Sequence, residues 1–229
     1  DALDAYLGEH PYRQVPELKV QAEVHGDAGA DTLAGRDDLD RVIVTTLDGV
    51  RAAAAALGAR HADGAEAGEL PHIEVRLDAE ISQGLVDDVA LHPLIEAGLI
   101  VGRLPTFEYL SEVEKNGVNP EILTALRDLG VRLMNVAPCL GGERSEEGPH
   151  YELSRDMIDD RGHMMVSPYV QRYIVGEYYK KSVRCRGCAL TERCRGMHIQ
   201  FLRAHGFAVL QPIGDGAADS SDHEHVEAA

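Results

Sequence analysis

Residues 119–142, "NPEILTALRDLGVRLMNVAPCLGG", set a helix, a strand and a thiol in direct succession. Asn119 suits an N-cap and Pro120 the first helical position. Ile122, Leu123, Leu126 and Leu129 recur as one apolar stripe, and Gly130 fits the C′ position. The β-branched and apolar run 131–137 then predicts a strand, which Pro138 stops. Cys139 comes next, and Gly141 with Gly142 lets the chain turn closely around whatever is bound there. A helix running straight into a strand is the repeating step of an α/β fold with a mainly parallel sheet. In such folds ligands gather at the carboxyl ends of strands.

The same step recurs upstream. Segments 17–24, 41–47, 72–78 and 98–104 are short and rich in β-branched residues, and each predicts a strand. Between the second and third lies "DGVRAAAAALGAR" (48–60), a helix by its alanine content. "LVDDVALHPLIEAG" precedes the fourth strand, and Pro93 breaks that stretch or starts a new helix. The sheet is expected to be open or rolled into part of a parallel (β/α) barrel.

Beyond Gly142 the pattern changes. Residues 143–166 are polar and weakly periodic, with "GHMMV" (162–166) as a short candidate strand. "SPYVQRYIVGEYYKK" (167–181) predicts a helix capped by Ser167 and opened by Pro168, with an apolar stripe of Val170, Tyr173, Ile174 and Tyr178. "GMHIQFLRAHG" (196–206) predicts a short helix closed by Gly206, followed by the apolar "FAVLQPI". Met164, Met165 and Met197 read as core filler.

Composition bounds the function. The 229 residues with 44% hydrophobic content suffice for one large domain or two modest ones. No run approaches the roughly 20 apolar residues of a membrane helix, and "DALDAYLGEH" lacks the layout of a signal peptide, so a cytoplasmic protein is expected. A formal charge of −17 argues against nucleic acid and anionic membrane as partners. The acidic runs around Asp37, Asp156 and Glu143 read as solvated surface, and no nucleotide-binding fingerprint is present.

Three of the four cysteines fall within "CRGCALTERCRG" (185–196), and Cys139 is the fourth. Disulfides are disfavoured without a secretory signal, and a redox pair is disfavoured because "CRGC" does not open a helix after a strand. Zinc held by four thiolates, or by three with His198, is a chemically reasonable alternative, although the spacing lacks the usual two knuckles. A four-iron, four-sulfide cluster suits one tight loop plus one distant strand end. Arg184, Arg186, Arg193 and Arg195, interleaved with the thiols, would offset its negative charge. His198 and His205 fall on one side of the last helix and read as structural, His205 at its carboxyl end.

"NVAPCLGG", then "YYKKSVRCRGCALTERCRG", then "RAHGFAVLQPI" resembles the carboxyl-terminal auxiliary-cluster region of radical S-adenosylmethionine (radical SAM) proteins of the SPASM or twitch kind. The resemblance covers roughly residues 118–213. It implies that Cys139, Cys185, Cys188 and Cys194 ligate an auxiliary [4Fe-4S] cluster in a structural or electron-transfer role, in an enzyme that acts on a peptide or protein. It further implies a partial radical SAM-like barrel over 1–137 and a loop-rich α+β cluster domain over 138–213. By its small, polar and acidic composition the tail over 214–229 reads as disordered, with His223 and His225 solvent-exposed. The family's C-x3-C-x2-C motif, which holds the cluster that cleaves S-adenosylmethionine, does not occur, since no cysteine precedes Cys139. The absence of an initial methionine reads as the later part of a longer enzyme. The alternatives are a degenerate homologue serving as a partner and a zinc-stabilised, noncatalytic binding domain.

Overall fold

A computed structural model describes residues 20–24, 29, 34, 39–63, 65, 70–142 and 155–214. The fold is α/β, and the chain divides into two compact units, 1–75 and 76–229.

In the first unit β1 (Val20–Val24), β2 (Leu39–Val44) and β3 (His72–Arg76) lie parallel, with Val24 beside Val44 and Val44 beside Val75. Helix α1 (Leu47–Ala62) joins β2 to β3. Its first turn is capped by Thr46, whose Oγ1 accepts the Gly49 N–H at 3.1 Å. Val50, Ala53, Ala54 and Leu57 form the buried i, i+3, i+4, i+7 face of α1. Val42, Val44 and Ile73 complete that core. Within it Arg41 pairs with the almost fully buried Glu74 at 2.5 Å.

In the second unit β4 (Ile100–Arg103) and β5 (Arg132–Met134) pair in parallel, Gly102 beside Leu133. Helix α2 (Ala79–Asp87) is capped by Asp78, which accepts the Ile81 N–H at 2.8 Å. A short 3-10 turn follows, and Pro93 then opens α3 (His92–Glu96), so the proline starts a new helix. Helix α4 (Leu110–Asn116) had no counterpart in the sequence reading. Helix α5 (Pro120–Asp128) is capped by Asn119, which accepts the Glu121 N–H at 3.0 Å. Leu123 and Leu126 of α5 are fully buried, each worth about 1.5–3 kcal/mol of apolar transfer, and α5 packs on α2. All five predicted strands and the helix at 119–130 are present.

The later elements differ from expectation. "GHMMV" is not a strand: Met164 forms a single antiparallel bridge with Ile158 and is 47% exposed rather than core. Helix α6 (Val166–Gly176) begins one residue before Ser167 and has no side-chain cap. It buries no residue fully, and its stripe residues Val170 and Tyr173 are exposed. It also ends early, because Tyr179–Lys180 becomes β6 and pairs antiparallel with β7 (Met197–His198). Helix α7 (Ile199–His205) follows and packs on α4, and its Phe201 and Leu202 are buried. The tail at 215–229 and the polar segment 143–154 lie outside the described residues.

Candidate metal centre

The first part of the site is built at the end of β5. Asn135 takes a left-handed conformation (φ 61°), and its side-chain amide donates to the Leu104 carbonyl at 3.0 Å, which ties this turn to the chain leaving β4. Pro138, Cys139 and Leu140 form one 3-10 turn, closed by the Leu140 and Gly142 amides, which both donate to the Ala137 carbonyl. The two glycines are a steric necessity. A Cβ on Gly142 would lie 1.7 Å from the Val136 carbonyl oxygen, and one on Gly141 would strike the stem of Arg127 in α5. Cys139 is thus fixed from the strand behind and the helix beside it.

The second part is the loop joining β6 to β7. Ser182 Oγ accepts the Arg184 N–H at 3.4 Å and starts the 3-10 segment Val183–Gly187, which carries Cys185. Successive turns then bring the Cys188 amide to the Cys185 carbonyl and the Thr191 amide to the Cys188 carbonyl. The hairpin closes at Gly196 (φ 87°), where a Cβ would sit 2.0 Å from the Lys180 carbonyl oxygen.

The two parts meet. Cys139, Cys185, Cys188 and Cys194 all line one pocket that encloses about 330 Å³ of space, part of it open to solvent. Ala137, Pro138, Leu190, Leu210 and Ile213 give it apolar walls, and among the described residues Lys181 is the one charged group that lines it. All four cysteines are free, half-buried thiols. Burial pushes the Cys139 thiol above its ordinary pKa, the Gln211 backbone amide opposes this, and Cys194 and Cys185 push it further up. Two more amides point at sulfur, Gly196 N–H at Cys194 Sγ (3.2 Å) and Ile213 N–H at Cys188 Sγ (3.3 Å). Among the described residues no three His, Cys, Asp or Glu side chains converge as ligands of a single ion would.

The flanking arginines do not act as a group. None lines the pocket. Arg195 turns away from the thiols to stack on Tyr179 at 4.2 Å and to bind Glu177 at 3.0 Å and the Gly176 carbonyl at 3.2 Å. Arg184 reaches the Phe207 carbonyl at 3.4 Å, while Arg186 and Arg193 are exposed. His198 is buried with both ring nitrogens engaged: Nε2 meets the Ile174 carbonyl at 2.6 Å and Nδ1 the Gln200 amide at 3.4 Å. That pairing makes Nε2 the protonated nitrogen and leaves no lone pair for a metal. His205 stacks on Phe201 in the last turn of α7, with its Nε2 buried and unpaired among the described residues.

Met197 is core filler as expected, being fully buried; what sequence reasoning missed is that its Sδ accepts the Ala137 N–H, together with the contributions of Gln211 and Ile213. Gln211 and Ile213 act through backbone amides, which carry no residue signature. Comparison with known proteins found no matching family model, no matching curated protein and no matching solved structure.

Proposed function

We propose that this chain is an iron-sulfur protein that holds a [4Fe-4S] cluster on Cys139, Cys185, Cys188 and Cys194. One observation carries the reading: four free thiols, Cys139 and a trio beginning 46 positions later at Cys185, open on one apolar-walled pocket, with backbone amides aimed at the sulfurs. The donor set fits, because such clusters are held by four thiolates and tuned by N–H groups directed at sulfur. Bound there, the cluster would supply one-electron chemistry or cross-link the strand end to the hairpin. With every thiol used, no iron is left open for a substrate.

Zinc is the second reading. A tetrahedral zinc needs all four sulfurs about 2.3 Å from one point. The same four thiols and apolar walls suit zinc as a ligand set, and the metal assay below separates the two.

The parallel pairing of β4 and β5, with Cys139 just past a strand end, supports kinship with the closing part of a radical SAM barrel and its auxiliary-cluster domain. On that reading the chain would serve an S-adenosylmethionine radical enzyme that acts on a peptide or protein in the cytoplasm, either as part of it or as its partner. No helix among the described residues is long and apolar enough to cross a membrane.

Anaerobic purification followed by iron, sulfide and zinc assay and an absorption spectrum tests the reading. About four irons and four sulfides per chain are expected. One zinc in a colourless protein without labile sulfide overturns it. Cys139→Ala and Cys188→Ala should lose iron to the same extent, and full retention in the Cys139 variant removes that residue from the ligand set.

A further inference from the structure

After α7 the chain passes through a 3-10 turn at Phe207–Val209 and returns along the thiol pocket as Leu210–Ile213. Three of these four residues, Leu210, Gln211 and Ile213, line the pocket. The segment is anchored at both ends. Leu210 is buried to 1% exposure, and the Ile213 carbonyl accepts the Ala189 N–H at 2.8 Å, next to Cys188. Gly214 then leaves so close to Ala189 that an added Cβ would lie 2.9 Å from the alanine methyl.

The main chain of this segment faces the thiols. Ile213 N–H points at Cys188 Sγ at 3.3 Å, and Gln211, two residues earlier, lines the same pocket as Cys139.

We propose that Leu210–Ile213 is a strap whose backbone amides retain and poise the cluster through N–H···S hydrogen bonds. This rests on the cluster reading above. An N–H dipole directed at a ligating sulfur stabilises negative charge there. Reduction adds one electron and makes the cluster one unit more negative, so these donors favour the reduced form and raise the midpoint potential. The side chains contribute little to this: Ile213 is 38% exposed, and what reaches the sulfur is its main chain.

Proline substitution separates the amide from the side chain, because proline has no N–H. The full chain, reconstituted anaerobically with ferrous iron and sulfide, is compared with Ile213→Pro, Gln211→Pro and Ile213→Ala. Each is assayed for iron and sulfide and titrated with dithionite, which supplies the electron. The expected result is a lower midpoint potential, or loss of the cluster, in the proline variants, with Ile213→Ala like the parent. Proline variants that match the parent in both iron content and potential overturn the strap, as does an Ile213→Ala variant that loses the cluster equally. Failure of the parent itself to take up iron and sulfide is a different outcome and refutes the cluster reading instead.

Discussion

The Ala137 backbone N–H donates to Met197 Sδ at 3.0 Å, joining residues sixty positions apart inside the core of the second unit. Ala137 is the last residue before the Cys139 turn, and Met197 lies in β7, three residues after Cys194. The contact therefore fixes the distance between the lone thiol and the hairpin that carries the other three. Met197→Ala should cost about 2–5 kcal/mol, because it empties a fully buried site. Met197→Leu keeps the volume but strands a buried donor, at about 1–3 kcal/mol. Urea denaturation should rank parent, leucine and alanine in that order; a leucine variant as stable as the parent would show that the sulfur contributes volume alone.

Gly142 and Gly176 make a contrasting pair. Alanine at 142 collides with the Val136 carbonyl oxygen, and backbone must move, so a loss of about 1–3 kcal/mol or more is expected together with reduced iron uptake. Alanine at 176 meets nothing within 4 Å at the end of α6 and should raise stability by up to about 0.5–1 kcal/mol. Thermal melts of the two variants should shift in opposite directions.

Burial holds the His198 pKa below its ordinary 6.5, against the pull of the Ile174 carbonyl. Its Nδ1 lone pair is engaged by the Gln200 amide, so protonation breaks that bond as well as burying a charge. The unfolded chain therefore takes up this proton first. The contribution of His198 is complete above pH 6.5 and is lost as pH falls toward the lower folded value. His205, also depressed by burial, acts in the same direction. Urea midpoints measured from pH 7.5 down to 5 should fall, and the fall should be shallower in His198→Gln; an identical slope in that variant would exclude His198 as a source.

Arg195 serves the hairpin rather than the pocket. Its guanidinium lies 4.2 Å from the Tyr179 ring centroid, and one terminal nitrogen donates to both Glu177 and the Gly176 carbonyl, so planar stacking and hydrogen bonding come together in one group. Arg195→Lys keeps the charge yet should cost about 1–2 kcal/mol by losing the stacking and one hydrogen bond. The discriminating comparison is with Arg186→Lys, an exposed position that should leave the melting temperature unchanged.

The sequence by itself determined the elements whose cause is local. Asn119 and Pro120 set the start of α5, the spacing of Leu123 and Leu126 chose its buried face, and Pro138 with Gly141 and Gly142 marked the turn that holds Cys139. Hydrophobic period, capping and steric freedom are properties of neighbours along the chain, so a reader of the sequence has them in hand. The four thiols were legible as candidates for the same reason, and the structure brings them to one pocket. Tertiary structure decided the rest. Whether Cys139 faces Cys185, Cys188 and Cys194 depends on the β6–β7 pairing and on the Ala137–Met197 contact, each between groups distant in sequence. The roles of Arg195, His198 and Ile213 came from the same source: a side chain or amide takes its partner from whatever the fold sets opposite it, and no periodicity records that choice.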